Sequence, residues 1–170
     1  VGLVALLLLV ACKATPEKVT PPPLEPKAVS EEFSEGLLDR NAVIEAARSV
    51  TREKYPNADD VLVDDHIRVR YEMDGPSVTV DDTFMKVLTE KGKRENKSPS
   101  FHFTLPYGTV SLSLLEVIKP DGSVIPVNIV EQSRVMVDRS QMGSNIYNPN
   151  RKILQVGVPG LEIGDMVRYV

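Results

Sequence analysis

The residues able to do covalent or acid–base chemistry are few. The 170-residue chain has one thiol, Cys12, and two imidazoles, His66 and His102. Thiol catalysis needs a Cys placed beside a His, and Cys12 sits directly behind the apolar run "VGLVALLLLVA" of an export signal, so it supplies no such pair. A single Cys also excludes an internal disulfide and a Cys-rich zinc site. His66 and His102 each fall on the polar face of a predicted strand, where an isolated imidazole reads as an exposed residue and not as a metal ligand. The acidic pairs Asp59-Asp60, Asp64-Asp65 and Asp81-Asp82 offer carboxylates for calcium but lack the spaced oxygen ligands of a calcium loop. They read as charges that blunt strand edges. The serines of "GTVS" and "KPDGS" have no base beside them, and turn chemistry accounts for both. There is no Gly-rich phosphate loop. The residues therefore assign no catalytic group, no metal site and no cofactor.

The chemistry expected of Cys12 is lipidation. Val1 to Ala11 is too short to span a bilayer, which takes about 20 apolar residues, but it has the length of a signal-peptide core, roughly 7–15 residues. Leu9-Val10-Ala11-Cys12 resembles a bacterial lipobox, in which a small residue precedes a Cys whose thiol takes a diacylglycerol. The reading is a signal peptide over 1–11, truncated at its front, and a membrane anchor at Cys12. Lys13 in place of Asp after the Cys suits the outer membrane, facing the periplasm or the surface. Residues 12–30 read as a tether. The stretch from Lys13 to Ser30 holds five prolines in eighteen residues and no apolar period. In polyproline II form, at about 3.1 Å per residue, it would hold a domain roughly 50 Å from the membrane.

The folded part lies downstream. Residues 31–57 read as a helical lead-in. Val43, Ala46, Ala47 and Val50 form one helix face, Asp39 or Asn41 can cap its start, and Pro56 stops it. The predicted helix runs from Asn41 to Lys54. From Val61 the period changes to two, with Ile67, Val69, Tyr71 and Met73 alternating with His66, Arg68, Arg70 and Glu72. "DGP" makes a turn into a second strand. That strand loses phase near Asp81-Asp82, which predicts a bulge or a strand buried on both faces. "EKGKRENK" reads as a charged loop. Further strands are expected over Phe101–Leu105, Val110–Ile118, Val124–Val127, Arg134–Val137, Ile153–Val158 and Met166–Val170, with "KPDGSV" a hairpin. "SQMGSNIYNPN" reads as an ordered loop. In "VPGLEIGD", Leu161 and Ile163 lie between two turn signals and are expected to plug one end of the fold. Short strands with regular turn signals predict a mainly β domain over 58–170, an antiparallel β-sandwich with a short N-terminal helix. The domain reads as incomplete at its C-terminus, because Met166–Val170 looks like a strand cut short.

Composition narrows the function classes. Net charge is -4, apolar residues are 42% and Trp is absent. There is no basic patch for nucleic acid. The stretches "VLTEKGKRE", "LLEVIKPDGSVIPV" and "DRSQMGSNIYNPNRKILQVGVPGLEIGDMVRY", in that order, resemble one bacterial family. It is the domain of unknown function that precedes a transglutaminase-like core in secreted and envelope proteins. The resemblance covers roughly 58–170 and implies an antiparallel β-sandwich of non-catalytic role. It also implies a papain-like thiol domain further along the gene, a transglutaminase or peptidase. No residue of that downstream domain has a counterpart here.

The expected function is that of an accessory domain in an envelope lipoprotein, docking or positioning the downstream domain. The alternative is a module binding cell-wall glycan or peptide. For partner contact the candidates are Asn145 and Tyr147, in a loop on a rigid scaffold; internal hydrogen bonding of that loop is the competing reading. A concave face lined with Tyr and polar groups would favour the binding module. An apolar patch beside the C-terminal strand would favour the accessory domain.

Overall fold

The structure is a computed structural model and describes residues 36–144 and 147–170. The leader, Cys12, the Pro-rich tether and Asn145 lie outside the described residues. The helices are α1 (Arg40–Ala47), α2 (Glu90–Asn96) and α3 (Ile129–Gln132), with a 3₁₀ turn over Ser140–Ser144. The strands are β1 (Asp60–Tyr71), β2 (Ser77–Val87), β3 (Ser100–Thr104), β4 (Leu115–Ile118), β5 (Val124–Pro126), β6 (Ser133–Val137), β7 (Arg151–Val156) and β8 (Met166–Tyr169). They form a five-stranded sheet in the order β1-β2-β8-β4-β5 and a three-stranded sheet in the order β3-β7-β6. Every pairing is antiparallel. The chain is mainly β, as its alternation predicts.

Period-two patterning sends one set of side chains from each sheet into a shared core. Val87, Leu115, Val117 and Val167 meet Leu154 and Val156 of the small sheet, and Phe101 packs edge-on to Tyr169 with ring centroids 5.4 Å apart. The large sheet is covered on its other face as well. There Phe84, Ile118 and Met166 pack against Val43 and Ala47 of α1. Burying a side chain the size of Phe84 contributes about 1.5–3 kcal/mol, so α1 and the segment before it complete a second core.

Local signals explain most element ends. Asp39 caps α1 by accepting from Asn41 N–H at 2.9 Å. Lys86 Nζ donates to Ala47 O at 2.7 Å, a cation at the end of the helix where carbonyls lack partners. The "PDG" turn closes β4 onto β5. Gly122 takes φ +86° there, and Asp121 Oδ1 accepts from Ser123 N–H at 2.8 Å.

Several expectations are corrected. Helix α1 stops at Ala47, and residues after Val50 run through turns up to β1. Of the expected helix face, Val43, Ala47 and Val50 are buried and Ala46 is exposed. "EKGKREN" is not a loop but α2, capped by Thr89, whose side chain accepts from Gly92 N–H at 3.1 Å. Strand β4 is only Leu115–Ile118; Ser113 and Leu114 instead donate to Val170 O. The phase loss in β2 is double-sided burial, with Asp82, Thr83 and Phe84 all buried. The irregularity in register lies on the partner strand, between Leu62 and Asp64. Strand β8 is not an open edge: it lies between β2 and β4 and is paired on both sides. Leu161 is buried as expected, whereas Ile163 is exposed.

Candidate functional site

The strongest charged constellation is inside the molecule. Arg168 of β8 donates from Nε to Asp82 Oδ1 at 2.9 Å and from Nη2 to Asp82 Oδ2 at 2.8 Å, and Nη1 reaches Glu116 Oε1 at 3.4 Å. Its guanidinium stacks over the Phe84 ring, 4.7 Å from the centroid. Register explains the meeting: Phe84, Arg168 and Glu116 are direct cross-strand partners on one face. The lead-in closes the site, with Leu38 N–H donating to Asp82 Oδ2 at 2.9 Å and Arg40 Nη1 to Glu116 Oε2 at 3.4 Å. Burial lowers the Arg168 pKa, but the bonds and charges of Asp82 and Glu116 outweigh it and hold the guanidinium above its ordinary value. With all three side chains buried, the cluster is a pin that fixes the lead-in to the sheet. It corrects the expectation of an edge-blunting charge for Asp82, which is buried in the cluster, whereas Asp81 is exposed just beyond the stretch of β2 paired with β8. Asp64 and Asp65 do lie on the edge strand β1.

A second constellation lies at the surface of the small sheet. His102 Nδ1 is 3.4 Å from Asp138 Oδ2, and Arg151 Nε is 2.9 Å from the same oxygen. Strands β3 and β7 bring His102 and Arg151 together, and Asp138 follows directly on β6, its N–H donating to Arg151 O at 2.9 Å. Asp138 is fully covered, while the side chains of His102 and Arg151 that cover it are about half exposed, at 53% and 50%. Bonds from Ser140, side chain and then backbone, hold the Asp138 carboxyl below its ordinary value against the cost of burial, with Arg151 and His102 adding to the effect. The arrangement sets one imidazole nitrogen against a carboxylate, with no hydroxyl or thiol nucleophile bonded to the ring among the described residues. His66, the other imidazole, is exposed on β1. The two are on different sheets and do not converge.

The loop that follows Asp138 is braced internally. Gln141 Nε2 donates to Asp138 O at 2.8 Å and to Asn148 O at 2.9 Å, while its Oε1 accepts from Asn148 N–H at 2.9 Å. Asx turns at Asp138 and Asn148 close its two ends. This is the internal hydrogen bonding weighed against a binding role, and it leaves Tyr147 exposed at the surface. Spacing could not have found Asp138, because His102 and Arg151 come from other strands. The Asp-x-Ser order at the end of β6 is a local turn signal.

The third feature is apolar. Strand β8 pairs with β2 only over Thr83–Lys86, so the far half of the β1–β2 hairpin extends beyond the sheet. On the face continuous with the core, Ile67, Val69 and Tyr71 are 55%, 42% and 78% exposed. Elsewhere, a shallow depression of about 260 Å³ is lined by polar groups, among them Ser98, Gln132, Ser133, Arg134 and Gln155. Among the described residues, no group of three or more His, Cys, Asp or Glu side chains could hold a metal ion.

No family model matches this chain, and no curated protein matches it. Among solved structures, the fold is similar to that of a crystal structure described as a "putative protease" from Parabacteroides distasonis ATCC 8503. The TM-score is 0.57 and the identity 13%; the similarity covers 65% of this chain and 22% of that one. This chain thus corresponds to about a fifth of that protein's length. At such identity the likeness is one of fold alone, a mainly β domain.

Proposed function

We propose that the chain is a non-catalytic accessory domain of a bacterial envelope lipoprotein. It docks or positions a transglutaminase-like thiol domain encoded further along the gene. The observation that carries the reading is the uncovered apolar stripe of Ile67, Val69 and Tyr71 on β1, one strand removed from the C-terminal strand β8. An apolar stripe of this kind on an otherwise polar face suits contact with another domain. A fold shared with a 22% portion of a larger protein described as a putative protease supports an attached role. Cys12 carries the acyl anchor, and the Pro-rich segment after it holds the domain away from the membrane, on the outer membrane facing the periplasm or the surface.

The test uses the full-length gene product. Ile67→Asp with Tyr71→Asp should separate the two domains, seen as faster cleavage of the junction by a dilute protease and a larger radius of gyration. Unchanged cleavage and radius would reject this face as the docking site. Turnover of peptide or amide substrates by the 170-residue chain itself, surviving repurification, would reject the accessory role. For the anchor, a fatty-acid analogue should label the wild type and not Cys12→Ser; equal labelling removes the lipoprotein assignment. Exposure of Tyr147 on a braced loop favours the second reading, a module for cell-wall glycan or peptide. Cosedimentation with insoluble peptidoglycan that is lost in Tyr147→Ala would select that reading instead.

A further inference from the structure

We propose that the outer edge of β1 is a self-association surface, on which the β1 strand of a second copy of this chain pairs antiparallel about a two-fold axis at Ile67. The proposal concerns the strand's edge and stands independently of the docking role given to its face.

The hairpin fixes which backbone groups are offered. Glu72 N–H donates across the turn to Pro76 O at 2.8 Å, so Glu72 points toward β2. Pairing runs in unbroken register from Asp64–Phe84 to Tyr71–Ser77. An antiparallel ladder alternates its bonds, so Arg70, Arg68, His66 and Asp64 also point their amides toward β2. The amides and carbonyls of Asp65, Ile67, Val69 and Tyr71 point the other way. Among the described residues β1 has no strand partner on that side. No proline interrupts the strand. The remaining protection is the register shift near Val63 and the alternating charge.

That charge is self-complementary. With Ile67 opposite the partner's Ile67, Asp65 faces the partner's Val69. The Asp65 amide already donates to Asp64 Oδ1 at 3.0 Å, so this pair is joined by Val69 N–H donating to the Asp65 carbonyl of the other copy. On the other face Asp64 lies opposite the partner's Arg70 and His66 opposite the partner's Arg68, and symmetry repeats both pairs. Opposite charges directly across a strand pair are favourable, and like charges are not. The neighbouring registers are worse. Sliding by two residues one way sets Asp64 against Glu72 and Arg68 against itself. Sliding the other way keeps a charge pair, Asp64 against the partner's Arg68, but sets His66 against itself and replaces the central Ile67 pair with Ile67 against Asp65. Arg70 Nε already donates to Glu72 Oε1 at 2.9 Å, but a guanidinium carries five donors and can serve a second carboxylate. The contact is isologous, so it closes at two copies instead of growing into a fibre. An interface made mainly of one strand edge is small, so dissociation is expected on the order of micromolar.

The test reads both affinity and place. Sedimentation of the full chain across a concentration series should show a monomer–dimer equilibrium. Asp64→Arg alone and Arg70→Asp alone should each weaken it about tenfold or more. The double variant should return it to within about threefold of wild type, because Asp64 and Arg70 are too far apart on one strand to compensate each other within a single copy. Amide exchange by NMR should protect Ile67 and Val69 only at high concentration, and Arg68 and Arg70 at all concentrations. A chain that stays monomeric well above micromolar overturns the proposal. So does a dimer in which Ile67 and Val69 exchange freely, since another surface then joins the copies. A double variant as weak as the single ones also overturns it.

Discussion

Arg168 holds two carboxylates that are 1% and 4% exposed, Asp82 and Glu116. A buried charge stripped of its partner is costly, so Arg168→Met should destabilise the chain by about 3–5 kcal/mol, read from the urea midpoint at neutral pH. An unchanged midpoint would mean that water reaches the site. Asp138 gives a pH signature instead. Its pKa is lower in the folded state than in the unfolded chain, first through Ser140. Such a group stabilises fully above the unfolded value and loses its contribution as pH falls through the folded one. Acid unfolding should therefore steepen below about pH 4, and Asp138→Asn should flatten stability against pH in that window while lowering it near neutrality. Neither role could be read from spacing. Asp82 looked like an edge charge because its partner lies 86 positions away, and a cross-strand partner leaves no local trace.

Helix α2 sets two forces against each other at one position. Its charged sequence has no apolar stripe and contains Gly92, so nothing periodic marks it as a helix. What makes it one is the Thr89 cap together with docking onto the start of β1. Asp59 accepts from Thr89 Oγ1 and from Lys91 Nζ, both at 2.7 Å, and Asn96 bonds Asp60. Helix propensity alone says Gly92→Ala should stabilise by about 1 kcal/mol. A Cβ there would lie 2.1 Å from Asp59 O, a backbone atom that cannot step aside. The substitution should instead cost about 1–3 kcal/mol, the range for overpacking, and lower the Tm. A raised Tm would show that α2 can lift away from β1 freely. The strands were more legible than the helices because alternation continued through β1 and β3. The Val110–Leu114 stretch is not a strand, and only its end, Ser113 and Leu114, bonds Val170.

At the scale of the molecule, the mainly β class followed from the many short alternating segments and their turn residues. The order of strands did not, because pairing between distant segments depends on which faces must be buried. The least predictable placement is β8, whose residues 166–169 lie between strands made of residues 77–87 and 115–118. This placement governs timing. Strands β2 and β4 have no direct pairing and can be joined only by the segment synthesised after both. The large sheet therefore cannot close while β8 is still inside the ribosome. Until then, Phe84, Val87, Leu115 and Val117 lack their neighbours, and the chain stays open to chaperones. Nascent chains stalled with Gly164 just outside the exit tunnel should remain protease-sensitive, and chains extended past Val170 should become resistant in one step. Resistance at the earlier stall would mean that the two halves of the sheet can close without the strand between them.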